Sequence, residues 1–214
     1  MGSGIKLGMK SYPTPDQVLA DLGDKVTEAL SGSVLLARDD LLDYRNARPA
    51  WVAEHTERGL ASWIHDRQWY HLVAMLSEIP GVSLRDAEPV REIYVGLNYH
   101  IRVKRHHWDG RVSTYPTQGA LDFMAQPPEQ EALDGLHEIH LLAGYFWDRD
   151  IRDITAPVLS LRDGVDRTLW LIELPPPDRG QGTGTDTLPI SPSPTPPTIL
   201  PSRHPVEEGE ETPE

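Results

Sequence analysis

An alternation of apolar and polar residues within the stretch from Arg91 to Gln118 constrains the fold of this chain more than any other feature. Every odd position from Ile93 to Val103 is apolar, and most even positions are polar or cationic. A period of two indicates a β-strand with one buried face, about 40 Å long at ~3.3 Å per residue if it does not fold back. We interpret Gly96 as a bend or bulge, since an interior glycine weakens pairing. A turn at Leu97-Asn98 would instead give two strands, although the unbroken parity favours one.

Helix start and stop signals precede this strand. Thr14-Pro15-Asp16-Gln17 combines an N-cap, a proline at the first helical position and a glutamine that closes a capping box. It predicts a helix from about Pro15 to Leu30, ended by Ser31-Gly32. The apolar clusters at 34–36 and 41–42 suit a buried strand or a short helix, and we favour a helix over Asp39 to Arg45.

Two more helices are predicted before the strand. Pro49 begins a helical turn that runs through His55. Thr56 caps the longest helix, which Pro80-Gly81 ends. His65 lies one turn from Trp69 on this helix, so we interpret it as a packed, hydrogen-bonded histidine rather than a catalytic one.

Strand signals dominate the rest of the folded region. Val82 to Asp86 leads into the long strand through Ala87-Glu88-Pro89, which indicates a tight antiparallel connection. Asp109-Gly110 is a turn signal from which Val112 to Tyr115 could return as a short strand. A short helix follows at Gly119 to Ala125.

Three further strands complete the pattern. They are separated by turns too short for anything but antiparallel neighbours, and Pro157 indicates that the second lies at a sheet edge or carries a bulge. Their predicted ranges are Leu136 to Trp147, Arg152 to Leu161 and Arg167 to Leu174.

The order of elements predicts an α+β fold, with N-terminal helices packed on a largely antiparallel twisted sheet and one short helix inserted before a C-terminal three-stranded meander. We expect residues 1–13 to form a flexible leader and 14–174 a single domain. Residues 175–214 contain 11 prolines and seven acids against two arginines. Such a composition predicts a disordered, acidic tail.

Composition excludes several classes of protein. The chain has no cysteine, which rules out disulfides, thiolate nucleophiles and cysteine-based zinc sites. No run of eighteen apolar residues and no secretory signal is present, so we expect a soluble cytoplasmic protein that does not enter a membrane. The net charge of −13 disfavours nonspecific attraction to nucleic acid, so such binding needs a local basic patch.

Catalytic and metal-binding motifs are missing from the sequence. There is no G-x-S-x-G, no phosphate-binding loop in the folded region and no H-E-x-x-H. His137 and His140 would lie on opposite faces of a strand, and His100 and His106 would lie about 20 Å apart on an extended one. We therefore predict no catalytic residue, no cofactor and no metal site, with a site built from distant segments left open.

Arg102-Val103-Lys104 lies near the end of the long strand. The order of a helix, three strands, a helix and a strand from about Thr56 to Trp147 resembles the core of the PD-(D/E)xK nuclease superfamily. The resemblance implies an acid-x-lysine motif at this position, in which acids hold Mg²⁺ and the lysine stabilises the scissile phosphate. Arg102 occupies the acid position and cannot hold a metal. Other carboxylates could come from Glu57, Asp86 or Glu92, and a cluster of three carboxylates near Lys104 would support a nuclease.

A group of cationic and aromatic residues at the end of the long strand and just after it is the strongest functional signal in the sequence. We call them the cationic face: His100, Arg102, Lys104, Arg105, His106, Trp108, Arg111 and Tyr115. Such residues can hold a phosphate or stack on a base. They could equally pair with the protein's own acids, such as Glu92 or Asp153 on neighbouring strands.

We interpret the protein as a non-catalytic intracellular interaction or regulatory protein. In this hypothesis it contacts an unidentified protein partner through the cationic face and its acidic tail. The alternatives are a module that binds nucleic acid or a phosphorylated ligand, and an active or inactive metal-dependent nuclease of the PD-(D/E)xK type.

Overall fold

Four helices precede a six-stranded sheet in the computed structural model, which describes residues 11–87, 90–127 and 138–177. This arrangement confirms the predicted α+β class. The helices are α1 (Pro15–Leu22), α2 (Asp24–Ala47), α3 (Pro49–Glu54), α4 (Glu57–Leu76) and α5 (Gln118–Met124). The strands are β1 (Val82–Ala87), β2 (Val90–Val95), β3 (Tyr99–His106), β4 (Ile139–Asp148), β5 (Asp153–Arg162) and β6 (Thr168–Glu173).

The first two helices divide the chain differently from the prediction. The capping box at Thr14 is confirmed, but α1 ends at Leu22, where Gly23 adopts a φ of 76°. The predicted stop at Ser31-Gly32 is wrong, because α2 continues through it. A Cβ at Gly32 would lie 2.9 Å from Cε of Met75 on α4. The glycine therefore allows two helices to pack closely and does not end either of them.

The next two helices follow their sequence signals. Pro49 begins α3, and the Thr56 hydroxyl accepts a hydrogen bond of 3.0 Å from the Gly59 amide at the start of α4. The predicted helix over Asp39 to Arg45 is confirmed as the last part of α2. These helices supply the layer on which the sheet packs.

The single long strand predicted across Gly96 is wrong. The chain turns at Gly96, Leu97 and Asn98, and β2 pairs antiparallel with β3, with Val95 opposite Tyr99. Directly opposed residues share a face of the sheet. Three residues separate Val95 from Tyr99, so both have odd numbers. A hairpin with a three-residue turn therefore keeps the apolar residues at odd positions on both strands, as one continuous strand would.

The sheet order follows the chain from β1 to β6. All neighbours are antiparallel except β3 and β4, which run parallel. The C-terminal meander is confirmed as β4, β5 and β6. Strand β5, which contains Pro157, lies between β4 and β6, so Pro157 is not at a sheet edge. Pro157 pairs with Tyr145, where the register of β4 shifts. Of the two alternatives predicted for Pro157, the bulge is therefore confirmed and the edge position is not. The predicted strand over 112–115 is reduced to one bridge between His106 and Val112.

The two faces of β3 enter different cores. Its odd positions pack with α1, α2 and α4 in the main core, together with Ile93 and Leu141. Its even positions lie on the opposite face, where Phe123 and Met124 of α5 pack on Leu142. Arg102 and Lys104, at even positions of β3, therefore face the side of the sheet on which α5 packs, whereas Arg105 lies on the side of α4 and binds Glu57.

Some predicted segments lie wholly or partly outside the described residues. These are residues 1–10, Glu88-Pro89, 128–137 with His137, and the tail from 178 onward. Residues 11–13 of the predicted leader contact the domain: the Tyr12 hydroxyl donates to Asp163, and Trp170 donates to the Pro13 carbonyl at 2.9 Å. No helix in the described ranges is long and apolar enough to cross a membrane.

Candidate anion-binding cleft

Strands β2 and β3 separate before either of them ends. Their pairing stops at Glu92 opposite Arg102, although β2 begins at Val90 and β3 runs on to His106. The last residues of β3 pair instead with the returning chain, where the Ser113 amide donates 2.9 Å to the Arg105 carbonyl. A cleft opens where the strands part.

Two neighbouring cavities of about 690 and 390 Å³ occupy this cleft. Both are lined by Arg91 of β2, Lys104 of β3 and His65 of α4, and by Thr114 and Tyr115 of the segment after β3. A helix, two strands and a loop thus contribute side chains to one site. Their volumes lie in the range of small-molecule sites, about 300 to 1,000 Å³.

Lys104 is a half-buried cation without a partner among the described residues of this cleft. Within the described residues its ammonium makes no hydrogen bond or ion pair, although it lines both cavities. Burial lowers the pKa of Lys104, and the neighbouring charge of Arg102 lowers it further. A buried cation is costly unless an anion or a set of acceptors compensates it. The side chain is therefore arranged to receive a negatively charged group.

The arginines around Lys104 are held by the protein's own acids. Arg91 donates 2.6 Å to Asp66 and 3.2 Å to Asp86. Arg105 donates 3.3 Å to Glu57 and 3.0 Å to the Ser113 hydroxyl. These pairs fix the walls of the cleft. Among the described residues that line the cavities, the cations left without an ion pair are Lys104 and Arg58, and Arg58 is exposed at the rim of the larger cavity.

Arg102 is anchored by Glu92, as the sequence suggested. Its Nη2 and Nε lie 2.6 and 3.0 Å from Oε1 of Glu92, and the carboxylate also accepts 2.9 Å from the Tyr94 hydroxyl. Glu92 is only 2% exposed. Burial alone would raise its pKa, but the donors from Arg102 and Tyr94 outweigh burial and hold the pKa below its ordinary value. Asp153, the other predicted partner, binds Arg38 and Arg45 of α2 instead.

His65 is a neutral wall of the cleft. Burial lowers its pKa to about 4, and the charges of Arg91 and Lys104 act in the same direction. Its Nδ1 lies 3.2 Å from Nη1 of Arg91, which can only donate, so the ring proton belongs on Nε2. His65 can thus offer a neutral N–H to a ligand without adding charge.

The residues of the cationic face do not lie together: some line the cavities, one is buried in the sheet, and the others lie away from Lys104. Lys104, Arg102, Arg105 and Tyr115 line the cavities. His106 is fully buried, with Nδ1 3.0 Å from the Lys104 carbonyl and Nε2 2.9 Å from the Ser160 hydroxyl.

The other members of the cationic face lie away from Lys104. His100 is buried against Tyr94 and Phe123. Trp108 stacks on Phe146, and Arg111 is exposed and bound to Asp109. Only part of the cationic face is therefore available to a ligand in the cleft.

The carboxylates that would support a nuclease are not grouped at Lys104 in the described part of the chain. Glu57 and Asp66 line the larger cavity, but both are ion-paired with arginine. Asp86 accepts hydrogen bonds from Trp69 and Arg91. The cleft thus favours an anion over a divalent cation.

Sequence reasoning missed Arg91 and assigned His65 to packing alone. A signal for Arg91 was present: it occupies an odd position, where the alternation predicts an apolar residue. Arg105 is likewise a cation at an odd position, just after the last apolar odd position of the stretch, Val103. The two irregular positions flank the place where the strands part.

Comparison of the chain with protein-family models, with curated proteins and with solved structures gives no match.

Proposed function

We propose that the protein binds a phosphorylated ligand of nucleotide size in the cleft between β2 and β3, with Lys104 as the main phosphate contact. One observation carries this proposal: Lys104 is a half-buried cation with no partner among the described residues, and it lines both cavities. A phosphate would supply the missing negative charge and accept hydrogen bonds from the ammonium.

The rest of the lining supports a phosphate. Arg102 lines the smaller cavity and Arg105 the larger, so that basic side chains outnumber the acids Glu57 and Asp66 among the lining residues. Thr114 lines both cavities and carries a hydroxyl donor. His65 adds a neutral imidazole whose N–H can donate to a phosphate oxygen.

An aromatic ring at the cleft suits a nucleotide in particular. Tyr115 is 83% exposed and lines both cavities. Aromatic side chains stack on bases of any sequence, at about 1 to 3 kcal/mol per base. The phosphate would bind at Lys104 and the base at Tyr115.

This proposal assigns binding to the cleft at Lys104 and not to the whole cationic face. His106 is inaccessible and His100 is nearly so, and Arg102 is held by Glu92. A flat protein partner would reach few of these cations, whereas a small anion that enters the cleft reaches Lys104.

Calorimetry with the full chain tests the proposal. ADP and inorganic pyrophosphate should bind and adenosine should not, because the phosphate supplies the main contact. Lys104→Met should weaken binding about ten- to hundred-fold, since a hydrogen bond to a charged group contributes roughly 1.5 to 3 kcal/mol. Lys25→Met, at an exposed position on α2, is the matched control.

The same titrations separate the two sources of phosphate. A single-stranded oligonucleotide that binds more tightly as its length increases, while ADP does not bind, would identify nucleic acid as the ligand. Adenosine that binds as well as ADP, or phosphate ligands that bind Lys104→Met as well as the wild type, would refute the role of Lys104.

A further inference from the structure

Two histidines and a glutamate converge at the beginnings of β3 and β4, away from the cleft. His100 and His140 are register partners on these parallel strands, so their side chains share a face. Glu138 immediately precedes β4. Its Oε1 lies 3.2 Å from Nδ1 of His100 and 3.3 Å from Nε2 of His140. All three ligand atoms lie within 4.8 Å of one another.

The hydrogen bonds of His140 determine which of its ring nitrogens carries the proton. Its Nδ1 lies 2.9 Å from the carbonyl oxygen of Phe123 and 3.2 Å from that of Ala125, and both oxygens can only accept. Nδ1 therefore carries the proton, and Nε2 of the neutral ring turns a lone pair toward Glu138. The end of α5 thus orients a metal-ligand nitrogen.

His100 has carboxylates near both ring nitrogens. Nδ1 faces Glu138, and Nε2 lies 3.1 Å from Oε1 of Glu92 without the alignment of a hydrogen bond. Metal-binding histidines commonly turn their second nitrogen toward a carboxylate or a backbone carbonyl. His140 shows this pattern with its two carbonyls, whereas Glu92 lies near Nε2 of His100 without an aligned hydrogen bond.

The distances suit a small divalent metal ion. In a tetrahedral site with bonds of about 2.0 to 2.1 Å, neighbouring ligand atoms lie ~3.3 Å apart. The two nitrogen-to-oxygen distances of 3.2 and 3.3 Å match this value. Two imidazoles and a carboxylate are ligands that zinc and related transition metals prefer, whereas Mg²⁺ and Ca²⁺ prefer oxygen alone.

Packing holds both rings in place. The ring of Phe123 stacks on His140 at 4.5 Å between centroids and meets His100 edge-on at 4.8 Å. Tyr94 stacks on the other side of His100 at 4.3 Å. The side chain of Glu138 is 49% exposed, which leaves an approach from solvent. The two imidazoles are therefore preorganised, and the carboxylate of Glu138 is accessible from solvent.

We propose that His100, Glu138 and His140 form a three-ligand site for a zinc-like divalent transition metal, with solvent completing the coordination. Glu138 comes from the segment before β4, and each histidine comes from one of the two parallel strands. This site is independent of the phosphate site proposed in the cleft, so either can exist without the other.

Zinc binding to the chelator-treated full chain tests this proposal. Wild-type protein should bind one Zn²⁺ per chain with saturable affinity, and X-ray absorption should show two imidazole nitrogens and a carboxylate oxygen in its first shell. Glu138→Gln should weaken binding at least ten-fold, because an amide is a poorer zinc ligand than a carboxylate. Glu78→Gln, at an exposed position beyond α4, should bind as the wild type does.

A second readout separates loss of metal from loss of fold. Free Zn²⁺ at 100 times the wild-type Kd should raise the melting temperature of the wild type by about 5 to 10 °C. At the same zinc concentration Glu138→Gln should lose about half of this rise or more, while melting normally without metal. Absence of stoichiometric zinc in the wild type would overturn the proposal. So would equal zinc affinity in Glu138→Gln and the wild type, since the metal would then be held elsewhere.

Discussion

Glu92 and Arg102 face each other across β2 and β3 at the last residue pair that these strands share. The guanidinium binds Oε1 of the carboxylate through Nη2 at 2.6 Å and through Nε at 3.0 Å. Beyond this ion pair the strands part and the cavities begin. The pair therefore closes the regular sheet and marks the edge of the cleft that contains Lys104.

Loss of this ion pair should destabilise the fold. Arg102→Met removes the guanidinium from the ring of Phe123 and leaves the carboxylate of Glu92 buried with fewer donors. We expect the free energy of unfolding to fall by about 2 to 3 kcal/mol, below the ~3 to 5 kcal/mol of a fully buried pair because Tyr94 still donates. Urea denaturation measures the change. Arg85→Met is the control, because Arg85 binds the same carboxylate from an exposed position and should cost less than ~1 kcal/mol. Equal losses for the two variants would contradict the role given to Arg102.

Removal of the ammonium of Lys104 should have the opposite effect. Lys104→Met retains most of the aliphatic side chain and removes a half-buried cation that has no partner among the described residues, so we expect it to raise the free energy of unfolding by about 1 kcal/mol. Lys25→Met should change it by less than ~0.5 kcal/mol. A clear destabilisation by Lys104→Met in urea would show that the ammonium has a structural partner.

The stability of the fold should decrease between pH 6.5 and 4. Burial lowers the pKa of His106 to about 4, whereas the unfolded chain keeps the ordinary value of 6.5. Below pH 6.5 the unfolded state binds more protons than the folded state, so acid favours unfolding until both forms are protonated near pH 4. The loss from His106 amounts to roughly 3 kcal/mol, since each pKa unit corresponds to about 1.4 kcal/mol.

His106→Gln isolates this contribution. Glutamine can donate to the Lys104 carbonyl and accept from Ser160 as the neutral imidazole does. Urea unfolding measured from pH 7 to 4 should show a shallower dependence in this variant. A dependence as steep as that of the wild type would mean that His106 does not titrate between these values.

A glycine opposite Lys104 should be essential to the sheet. Gly144 is the register partner of Lys104 on β4, and a Cβ at Gly144 would lie 1.8 Å from the Lys104 carbonyl oxygen. We expect Gly144→Ala to lower the free energy of unfolding by about 3 kcal/mol or more, because a backbone atom must move. Gly119→Ala, a helical position with open space, should be neutral or stabilising by ~0.5 to 1 kcal/mol. Similar melting temperatures for these variants would contradict the close approach of β3 and β4.

Local chemistry made the helix boundaries predictable where a capping residue or a proline begins a helix, as at Thr14, Pro49 and Thr56. The same reasoning failed at Gly32, since a glycine that ends a helix and one that lets another helix approach look alike in sequence. It failed at Gly96 because the three-residue turn preserves the alternation. At Gly32 the distinguishing fact is a contact with a distant part of the chain, the side chain of Met75 on α4. At Gly96 it is the antiparallel pairing of β2 with β3, which the alternation alone does not reveal.

The candidate site was predictable only in part. The sequence identified Lys104, Arg102 and the pairing of Arg102 with Glu92. It could not show that β2 and β3 separate after that pair, since register depends on the whole sheet. The convergence of His100 and His140 was missed for the same reason: they become neighbours only through the parallel pairing of β3 and β4.

The pKa of the Lys104 ammonium, measured by NMR with and without inorganic pyrophosphate, tests the central claim most directly. The chain has only four lysines, Lys6, Lys10, Lys25 and Lys104, so their labelled side-chain carbons can be assigned by single substitutions. Burial without a partner should hold the pKa of Lys104 below its ordinary value in the free protein. Saturating pyrophosphate should raise that pKa and leave Lys25 unchanged, because a bound anion stabilises the charged form. A pKa of Lys104 that is the same with and without pyrophosphate would contradict the account.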